Sequence, residues 1–149
     1  MATRSPLMQQ RVQHFLRRCH DAGMTVTPQR IAIYRALIES HDHPSPELVF
    51  QRVLPEMPSL SLATVYKTLD ALCDLGVVQE VSVLSDTKRY DANLERHHHL
   101  VCTRCHKVED FYDEQMDRLQ PRHQSDGFVA QAVNVQIMGL CRACAGKRS

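Results

Sequence analysis

Two Cys-x-x-Cys pairs carry the strongest chemical signal in this sequence. Cys102 and Cys105 form the first pair, and Cys141 and Cys144 form the second, near the C-terminus. A turn of this spacing presents two sulfurs to one metal ion, and four thiolates complete the tetrahedral shell of structural zinc. Because a filled tetrahedron leaves no open position, the ion would stabilise the fold rather than catalyse a reaction. We therefore expect one Zn²⁺ bound by these four cysteines.

Two other interpretations explain the cysteines less well. A pair of redox dithiols would leave the shared spacing without a reason. The segment Cys102–His106 also matches the CxxCH pattern of c-type haem attachment, but that chemistry requires export, and the chain begins without the apolar segment of a signal peptide. The remaining cysteines, Cys19 and Cys73, fall on apolar faces of predicted helices, which indicates core packing.

Histidines and carboxylates beside the first cysteine pair predict a second metal site of a different kind. His97, His98 and His99 precede the pair, and Glu109 and Asp110 follow it. Alternate side chains share one face of a strand, so His97 and His99 can bind one ion while His98 points away. Imidazoles and carboxylates without thiolate suit Fe(II), Mn(II) or Zn(II), and such a site can be reversible.

Composition limits the class of protein. The chain has 149 residues, 43% of them hydrophobic, which suffices for one ordinary domain or two small ones. No run of about 18 apolar residues exists, so we expect no membrane span and a cytoplasmic protein, in which thiolates bind metal rather than form disulfides. The net charge of +1 predicts no partner, but residues 1–38 hold six arginines and one acid. That excess fits either a solvated basic face or a phosphate-binding one.

Residues 1–91 are predicted to form a helical unit that ends in a two-stranded ribbon. Helical periodicity and N-terminal capping signals predict four helices, which begin near residues 7, 28, 46 and 62. Val77–Val83 and Lys88–Tyr90 are predicted strands around a turn at Ser85–Thr87. This order is typical of a winged helix, whose last helix, Leu62–Leu75, would enter the DNA major groove. The pattern alone also fits a helical domain with an ordinary hairpin.

Residues 92–149 are predicted to form a small α+β unit after a hinge-like linker at residues 92–95. The expected elements are strands at His99–Cys102, Val108–Tyr112 and Phe128–Met138, and a helix at Asp113–Gln120. The outward strand of this unit could pair with another copy of the chain. The whole chain is therefore expected to have an α+β fold built from two units.

Several motifs together make the sequence resemble the ferric uptake regulator superfamily over residues 10–146. They are TPQR at 27–30, HPSPELVF at 43–50, SLATVYKTLDAL at 61–72, KRYD at 88–91, HHHLVCTRCHKVEDF at 97–111 and GLCRAC at 139–144. The resemblance implies an N-terminal winged helix-turn-helix domain that binds DNA, a hinge, and a C-terminal α+β dimerisation domain. It also implies a metal-dependent homodimeric repressor of transcription that binds a double-stranded operator, and not an enzyme.

The resemblance assigns the metal ligands residue by residue. It gives the four cysteines to the structural Zn²⁺. It gives five residues to a regulatory Fe²⁺ or Mn²⁺, and they are His43, Asp91, His97, His99 and Asp110. Two of these lie in or beside the DNA-binding half, so metal binding would clamp the two halves in one orientation and match the paired reading helices to successive half-sites. Without the resemblance, His43 would be interpreted as a surface or capping residue.

Five residues are candidates for contact with DNA: Arg30, Ala63, Thr64, Tyr66 and Lys67. Ala63, Thr64 and Lys67 lie on the small, polar and basic face of the predicted fourth helix. Tyr66 matches a base-contacting tyrosine of the family, and its alternative is a core aromatic.

The residue at position 110 favours one branch of the family. Peroxide-responsive members resemble this chain in having Asp there, whereas iron-uptake regulators usually have Glu, and the neighbouring Glu109 would reverse the assignment if the register shifted by one. In the peroxide-responsive branch, Fe(II) and hydrogen peroxide oxidise ligand histidines, here matched by His43 and His97, and repression ends. The alternative is an iron-uptake repressor that responds to the Fe(II) level.

The sequence departs from the family pattern at four positions. Arg96 and Val133 replace histidines of an additional site in iron-uptake regulators, His106 replaces the usual glycine after the first pair, and His98 is extra.

A zinc hydrolase built on the histidine cluster would need an open metal position and a general base, but no HExxH or nucleophile motif is present.

Overall fold

The computed structural model describes residues 5–82, 88–120 and 126–147. The chain forms two compact units, Met1–Leu94 and Glu95–Ser149. The boundary lies slightly later than the predicted one after Asp91. Ala92 is buried in the core of the N-terminal unit, and the backbone N–H of Asn93 donates to the Asp91 carboxylate at 2.8 Å.

The N-terminal unit begins with the four helices that the sequence predicts. They are α1 Pro6–Asp21, α2 Pro28–Glu39, α3 Pro46–Val53 and α4 Leu62–Asp74. The hydroxyls of Thr27, Ser45 and Ser61 accept hydrogen bonds from backbone N–H groups in the first turns of α2, α3 and α4. Proline at the first position of α1, α2 and α3 has no N–H to leave unsatisfied. These starts follow from local chemistry, which explains why the sequence predicts them.

The C-terminal end of α4 is held by α1. Arg18 donates two hydrogen bonds to the Leu75 carbonyl, from Nη2 at 2.6 Å and from Nε at 3.2 Å. Gly76 follows with a φ of 73°, a left-handed conformation that glycine adopts without steric cost. Arg18 therefore has a structural role, because it satisfies a carbonyl at the end of α4.

A single apolar cluster holds these helices together. Phe15 stacks on Tyr34 with ring centroids 4.6 Å apart, and Leu69 and Leu72 of α4 are fully buried. Cys19 is also fully buried, and Cys73 packs against the same cluster. Both thiols are core residues, as the apolar helix faces predict.

The ribbon of the N-terminal unit is an antiparallel pair of strands, β1 Gln79–Ser82 and β2 Lys88–Asp91. The register pairs Gln79 with Asp91. Val77 and Val78, predicted as the start of the first strand, instead pack in the core before it. The predicted turn at residues 85–87 lies outside the described residues.

In its described residues, the C-terminal unit is a three-stranded sheet with two short helices. Its elements are β3 His98–Cys102, β4 Val108–Phe111, α5 Glu114–Asp117, β5 Gln136–Gly139 and α6 Arg142–Ala145. The strand order is β4-β3-β5, with β4 antiparallel and β5 parallel to β3. Within the described residues, no helix is both long and apolar enough to cross a membrane.

Two predicted elements of this unit are shorter than expected. The predicted helix 113–120 is limited to α5, because Asp113 caps its start and the backbone leaves helical geometry at Arg118. The predicted strand 128–138 begins only at Gln136. Its partner β3 pairs with it from His99 to Cys102, so the apolar residues before position 135 have no strand beside them in the described part of the chain.

Candidate metal centres

The four predicted zinc ligands meet at one end of the C-terminal sheet. Their sulfur atoms all lie within 4.8 Å of one another, and Cys105 Sγ and Cys141 Sγ are 3.7 Å apart. A tetrahedral ion with Zn–S bonds of about 2.3 Å holds its sulfurs about 3.8 Å apart. The sulfurs are also too far apart for a disulfide, whose S–S bond is about 2.05 Å. The donor set therefore fits a closed tetrahedral zinc site.

The parallel pairing of β3 and β5 builds this centre. Its register places Cys102 beside Gly139, two residues before Cys141. The backbone N–H of Thr103 then donates to the Gly139 carbonyl at 2.8 Å, which ties the first Cys-x-x-Cys turn to the start of the second. Backbone N–H groups of Cys105 and Cys141 lower the pKa of the Cys102 thiol to about 5, so a thiolate is available for the ion.

Arg104 supports the second cysteine pair from within the first. Its Nη1 donates to the Cys144 carbonyl at 2.8 Å and to the Lys147 carbonyl at 3.0 Å. The Cys144 carbonyl also accepts from the Lys147 N–H at 3.3 Å, and Lys147 lies just beyond α6, so Arg104 ties the end of α6 to the chain that follows it. Motif spacing marks only the cysteines, so sequence reasoning missed this contact between residues far apart in the chain.

His106, which stands where the family usually has glycine, adopts a left-handed backbone. Its φ is 62°, and its Nδ1 is buried without a hydrogen bond among the described residues. A left-handed conformation costs a non-glycine residue about 1–2 kcal/mol. The turn after Cys105 therefore has a backbone conformation that favours glycine, and His106 is strained in it.

His43 and Asp91 form a buried pair in the N-terminal unit. His43 is 4% exposed, and its Nε2 lies 3.1 Å from Asp91 Oδ2. His43 has a φ of 49°, one of two positive values among the described non-glycine residues. Strained backbone of this kind concentrates at functional sites. The interpretation of His43 as a surface residue is therefore wrong.

The loop that carries His43 is fixed against β2. The backbone N–H of Tyr90 donates to the Pro44 carbonyl at 3.1 Å, and Arg89 donates to the His43 carbonyl at 3.4 Å. Because Asp91 is the next residue of β2, these contacts bring its carboxylate to the imidazole. The pair is thus positioned by the backbone before any ion arrives.

A second anchor holds the same loop on its other side. Arg52 of α3 donates to both carboxylate oxygens of Asp42, at 3.0 and 2.6 Å, and to Ser40 Oγ at 2.7 Å. Its hydrogen bonds hold the pKa of Asp42 below the usual value. Asp42 precedes His43 directly, so this clamp limits the movement of the candidate ligand.

His97, His99 and Asp110 form a cluster in the C-terminal unit. The Nε2 atoms of His97 and His99 lie 3.5 and 3.4 Å from Asp110 Oδ1. His97 Nδ1 is hydrogen-bonded to the Glu95 carbonyl, which can only accept, so Nδ1 holds the proton and the Nε2 lone pair faces Asp110. Ligands about 2.1 Å from a common octahedral ion lie about 3 Å apart, so this donor set also fits a divalent cation.

The sheet register distinguishes Asp110 from Glu109. In the β3–β4 pair, His99 lies opposite Asp110, and Leu100 lies opposite Glu109. Neighbouring side chains of a strand point to opposite faces, and Glu109 forms an ion pair with Lys107. The carboxylate at position 110 is therefore the one that reaches the histidine cluster.

His98 is a fully buried bridge on the other face of β3. Its Nδ1 accepts the Val135 N–H at 3.2 Å, and its Nε2 lies 2.9 Å from Asp117 Oδ1. Because Nδ1 accepts, the proton resides on Nε2 and is donated to Asp117. This single imidazole ties β3 to α5 and to the chain that enters β5. The sequence assigns it no such role, since it stands between two candidate ligands.

Replacing His98 by alanine is expected to lower the free energy of unfolding by about 3 kcal/mol, because it leaves a cavity and removes the hydrogen bonds to Val135 and Asp117. Chemical denaturation measures the change. His98→Asn is the matched control: its amide oxygen can replace Nδ1 toward Val135, so its cost should be smaller. Equal stability of the alanine variant and the wild type would contradict the bridging role.

The candidate DNA-binding residues lie in the N-terminal unit. A surface groove of about 640 Å³ is lined by Arg30, Thr64 and Lys67, among others. Ala63 is exposed, and Tyr66 is 37% exposed, so it is not a core aromatic. Thr64 and Arg30 also have local roles, because Thr64 N–H donates to the Ser61 cap and the Arg30 guanidinium donates to the Thr25 carbonyl.

The sequence and the fold are similar to those of known proteins. Residues 21–138 match the family described as Ferric uptake regulator family. The peroxide-responsive repressor PerR of Staphylococcus epidermidis is 37% identical over 125 residues, which cover 83% of each chain. The structure of the Campylobacter jejuni peroxide stress regulator is 31% identical with a TM-score of 0.63, covering 93% of this chain and 98% of that one.

The fold is also similar to that of the ferric uptake regulator Fur of Helicobacter pylori. The TM-score is 0.74 at 20% identity, covering 95% of this chain and 96% of that chain. The predicted α+β fold class with an N-terminal winged helix is confirmed. The chain therefore belongs to the ferric uptake regulator family of metal-dependent transcriptional repressors.

Proposed function

We propose that this protein is a homodimeric repressor that binds operator DNA while a divalent cation is held and releases it when hydrogen peroxide oxidises a ligand histidine. The observation that carries the peroxide assignment is the position of Asp110, whose carboxylate contacts both His97 and His99. Relatives of 36–37% identity that are named peroxide-responsive repressors support the same branch.

The regulatory ion is proposed to take ligands from both units. His43 and Asp91 offer two donor groups, and His97, His99 and Asp110 offer three. Neither set alone fills the coordination shell of Fe²⁺ or Mn²⁺, and the two sets are of the same chemical kind. A shared ion would hold the two units in the orientation that binds DNA, so its loss would end repression. A separate Zn²⁺ is proposed for the four cysteines.

The oxidation step is proposed to occur on His43 or His97. Fe²⁺ held by these ligands would supply one electron to cleave the O–O bond of hydrogen peroxide and would recover one electron from the oxidised ring, so it would act as a catalyst. In the net reaction, a ring C–H and hydrogen peroxide would become C–OH and water. The oxidised ring is a weaker ligand, so the residue would no longer hold the two units to one ion. Both residues are buried, at 4% and 7% exposure, so oxidant formed at the ion meets them before solvent.

Two exposed surfaces indicate the partners that we propose, which are DNA and a second copy of the chain. Helix α4 presents Ala63, Tyr66 and Lys67 outward, and we propose that it enters the major groove. The C-terminal unit exposes large apolar side chains, among them Phe128 at 62% and Val129 at 78%, and we propose that a second copy covers them. We place the protein in the cytoplasm, where operator DNA and reduced thiols are both available.

Peroxide treatment tests the proposal. The probe is a duplex that the Mn²⁺-loaded protein selects from a random-sequence library, followed by gel shift. Peroxide is expected to release the Fe²⁺-loaded protein and to leave the Mn²⁺-loaded protein bound. Release of neither form would favour the alternative, an iron-uptake repressor that responds to the metal level.

Mass spectrometry of the same samples locates the modification. Trypsin places His41 and His43 in one peptide, residues 36–52, and His97 to His99 in another, residues 97–104. Fragment ions should assign one added oxygen to His43 or His97. His41 is exposed and serves as the internal control in the first peptide, and His98 in the second. Unmodified histidines after loss of DNA binding would contradict the mechanism.

A further inference from the structure

The hydroxyl of Tyr66 is engaged by a carboxylate from a neighbouring helix. Tyr66 lies in the second turn of α4, and its O–H donates to Oε1 of Glu47 in the first turn of α3. The hydrogen bond holds the pKa of Glu47 below its usual value and raises the pKa of Tyr66. The phenol therefore keeps its proton and the carboxylate keeps its charge.

This contact limits what Tyr66 can offer to a base. A phenol has one proton to donate and lone pairs that accept. With the proton directed at Glu47, the hydroxyl can only accept from a further partner. In the major groove, adenine N6 and cytosine N4 are donors, whereas guanine presents only the acceptors N7 and O6. A hydroxyl held in this way would favour an amino group and disfavour guanine.

The charge of Glu47 has a separate effect on the affinity for DNA. A carboxylate beside the DNA-facing helix is repelled by phosphates, so it lowers affinity for every sequence equally. An equal loss leaves the difference between right and wrong sites unchanged, so any effect of Glu47 on base preference comes from its hydrogen bond with the Tyr66 hydroxyl.

We propose that Glu47 is a positioning residue for sequence recognition: it fixes the Tyr66 hydroxyl as an acceptor, so that Tyr66 selects an adenine or cytosine amino group against guanine. The inference rests on the proposed binding of DNA through α4. It assigns to a residue outside the recognition helix part of the base preference of that helix.

Selection from a random duplex library tests the inference on the full-length Mn²⁺-loaded protein. Wild type, Glu47→Ala, Glu47→Gln and Tyr66→Phe are compared by the base frequencies of the selected sites. Glu47→Ala is expected to lose discrimination against guanine about tenfold at one position of each half-site. Tyr66→Phe should lose preference at that same position. Glu47→Gln can still accept the hydroxyl proton, so it should retain the preference and bind all sequences more tightly.

A matched control separates charge from geometry. Glu56 is an exposed acid just beyond the other end of α3, and Glu56→Ala removes the same charge without touching Tyr66. Thermal unfolding verifies that each variant is folded. An unchanged base preference in Glu47→Ala, with wild type selecting a defined site, would overturn the inference and leave the proposed function standing. Failure of the wild type to select any site would overturn both.

Discussion

Replacing Cys144 with serine is expected to release the structural zinc and unfold the C-terminal unit. Within the described residues of that unit, the buried apolar side chains are Val101, Val108 and two of the zinc ligands, Cys102 and Cys144. So small a core needs a metal to stabilise it. Structural Zn²⁺ binds zinc-finger peptides with about 10–16 kcal/mol, which equals or exceeds the usual stability of a whole domain, about 5–15 kcal/mol.

Metal analysis and thermal unfolding measure this effect. Wild type should hold one zinc per protomer, and Cys144→Ser should hold almost none and lose the unfolding transition of the C-terminal unit. Cys73→Ser is the matched control: burial raises the pKa of this thiol to about 11, so it is an inert core residue. It should keep the zinc and lose at most about 2 kcal/mol. A Cys144→Ser variant with full zinc content and an unchanged transition would refute the four-cysteine centre.

Replacing His43 with alanine is expected to weaken Mn²⁺ binding by roughly 100-fold or more and to abolish metal-dependent DNA binding, because loss of even an outer-shell contact costs up to about that factor. His97→Ala should have the same effect. The equality is the informative result, since the two residues belong to different units. Only an ion that draws ligands from both makes each substitution equally damaging.

Titration of zinc-loaded protein with Mn²⁺ against a fluorescent chelator measures the affinity. His41→Ala is the control, because His41 is exposed and lies two residues from His43 in the same loop. It should bind Mn²⁺ as wild type does. If His97→Ala lost the ion while His43→Ala retained it, the ion would belong to the C-terminal cluster alone, and the proposal of a shared site would be wrong.

Features that depend on a few consecutive residues could be predicted from the sequence. The starts of α2, α3 and α4 follow from Thr27, Ser45 and Ser61, because a cap satisfies backbone groups within its own first turn. The four-cysteine set follows from two Cys-x-x-Cys turns, since each turn presents its own pair of sulfurs. The order of helices and strands from α1 to β5 follows from hydrophobic periodicity, whereas the short helix α6, Arg142–Ala145, was not predicted.

Element lengths in the C-terminal unit were predicted less well. The alternation of apolar residues before Gln136 is typical of a strand, but a strand extends only as far as its partner does. β3 ends its pairing with β5 at His99, so the hydrogen-bonded ladder begins there. The limit comes from a segment about 35 residues away, which local pattern does not contain.

The amino-acid sequence by itself determined which residues can bind metal and where the helices begin, because spacing and capping act over a few residues. Tertiary structure alone decided which of them meet. The β3–β4 register brings Asp110 rather than Glu109 to His97 and His99. Strand alternation predicts that His98 points to the opposite face, but only the tertiary structure places Val135 and Asp117 beside it. Arg18 likewise caps Leu75, a contact across 57 residues. The physical reason is that strand register and helix packing set these distances, and both depend on the whole buried core.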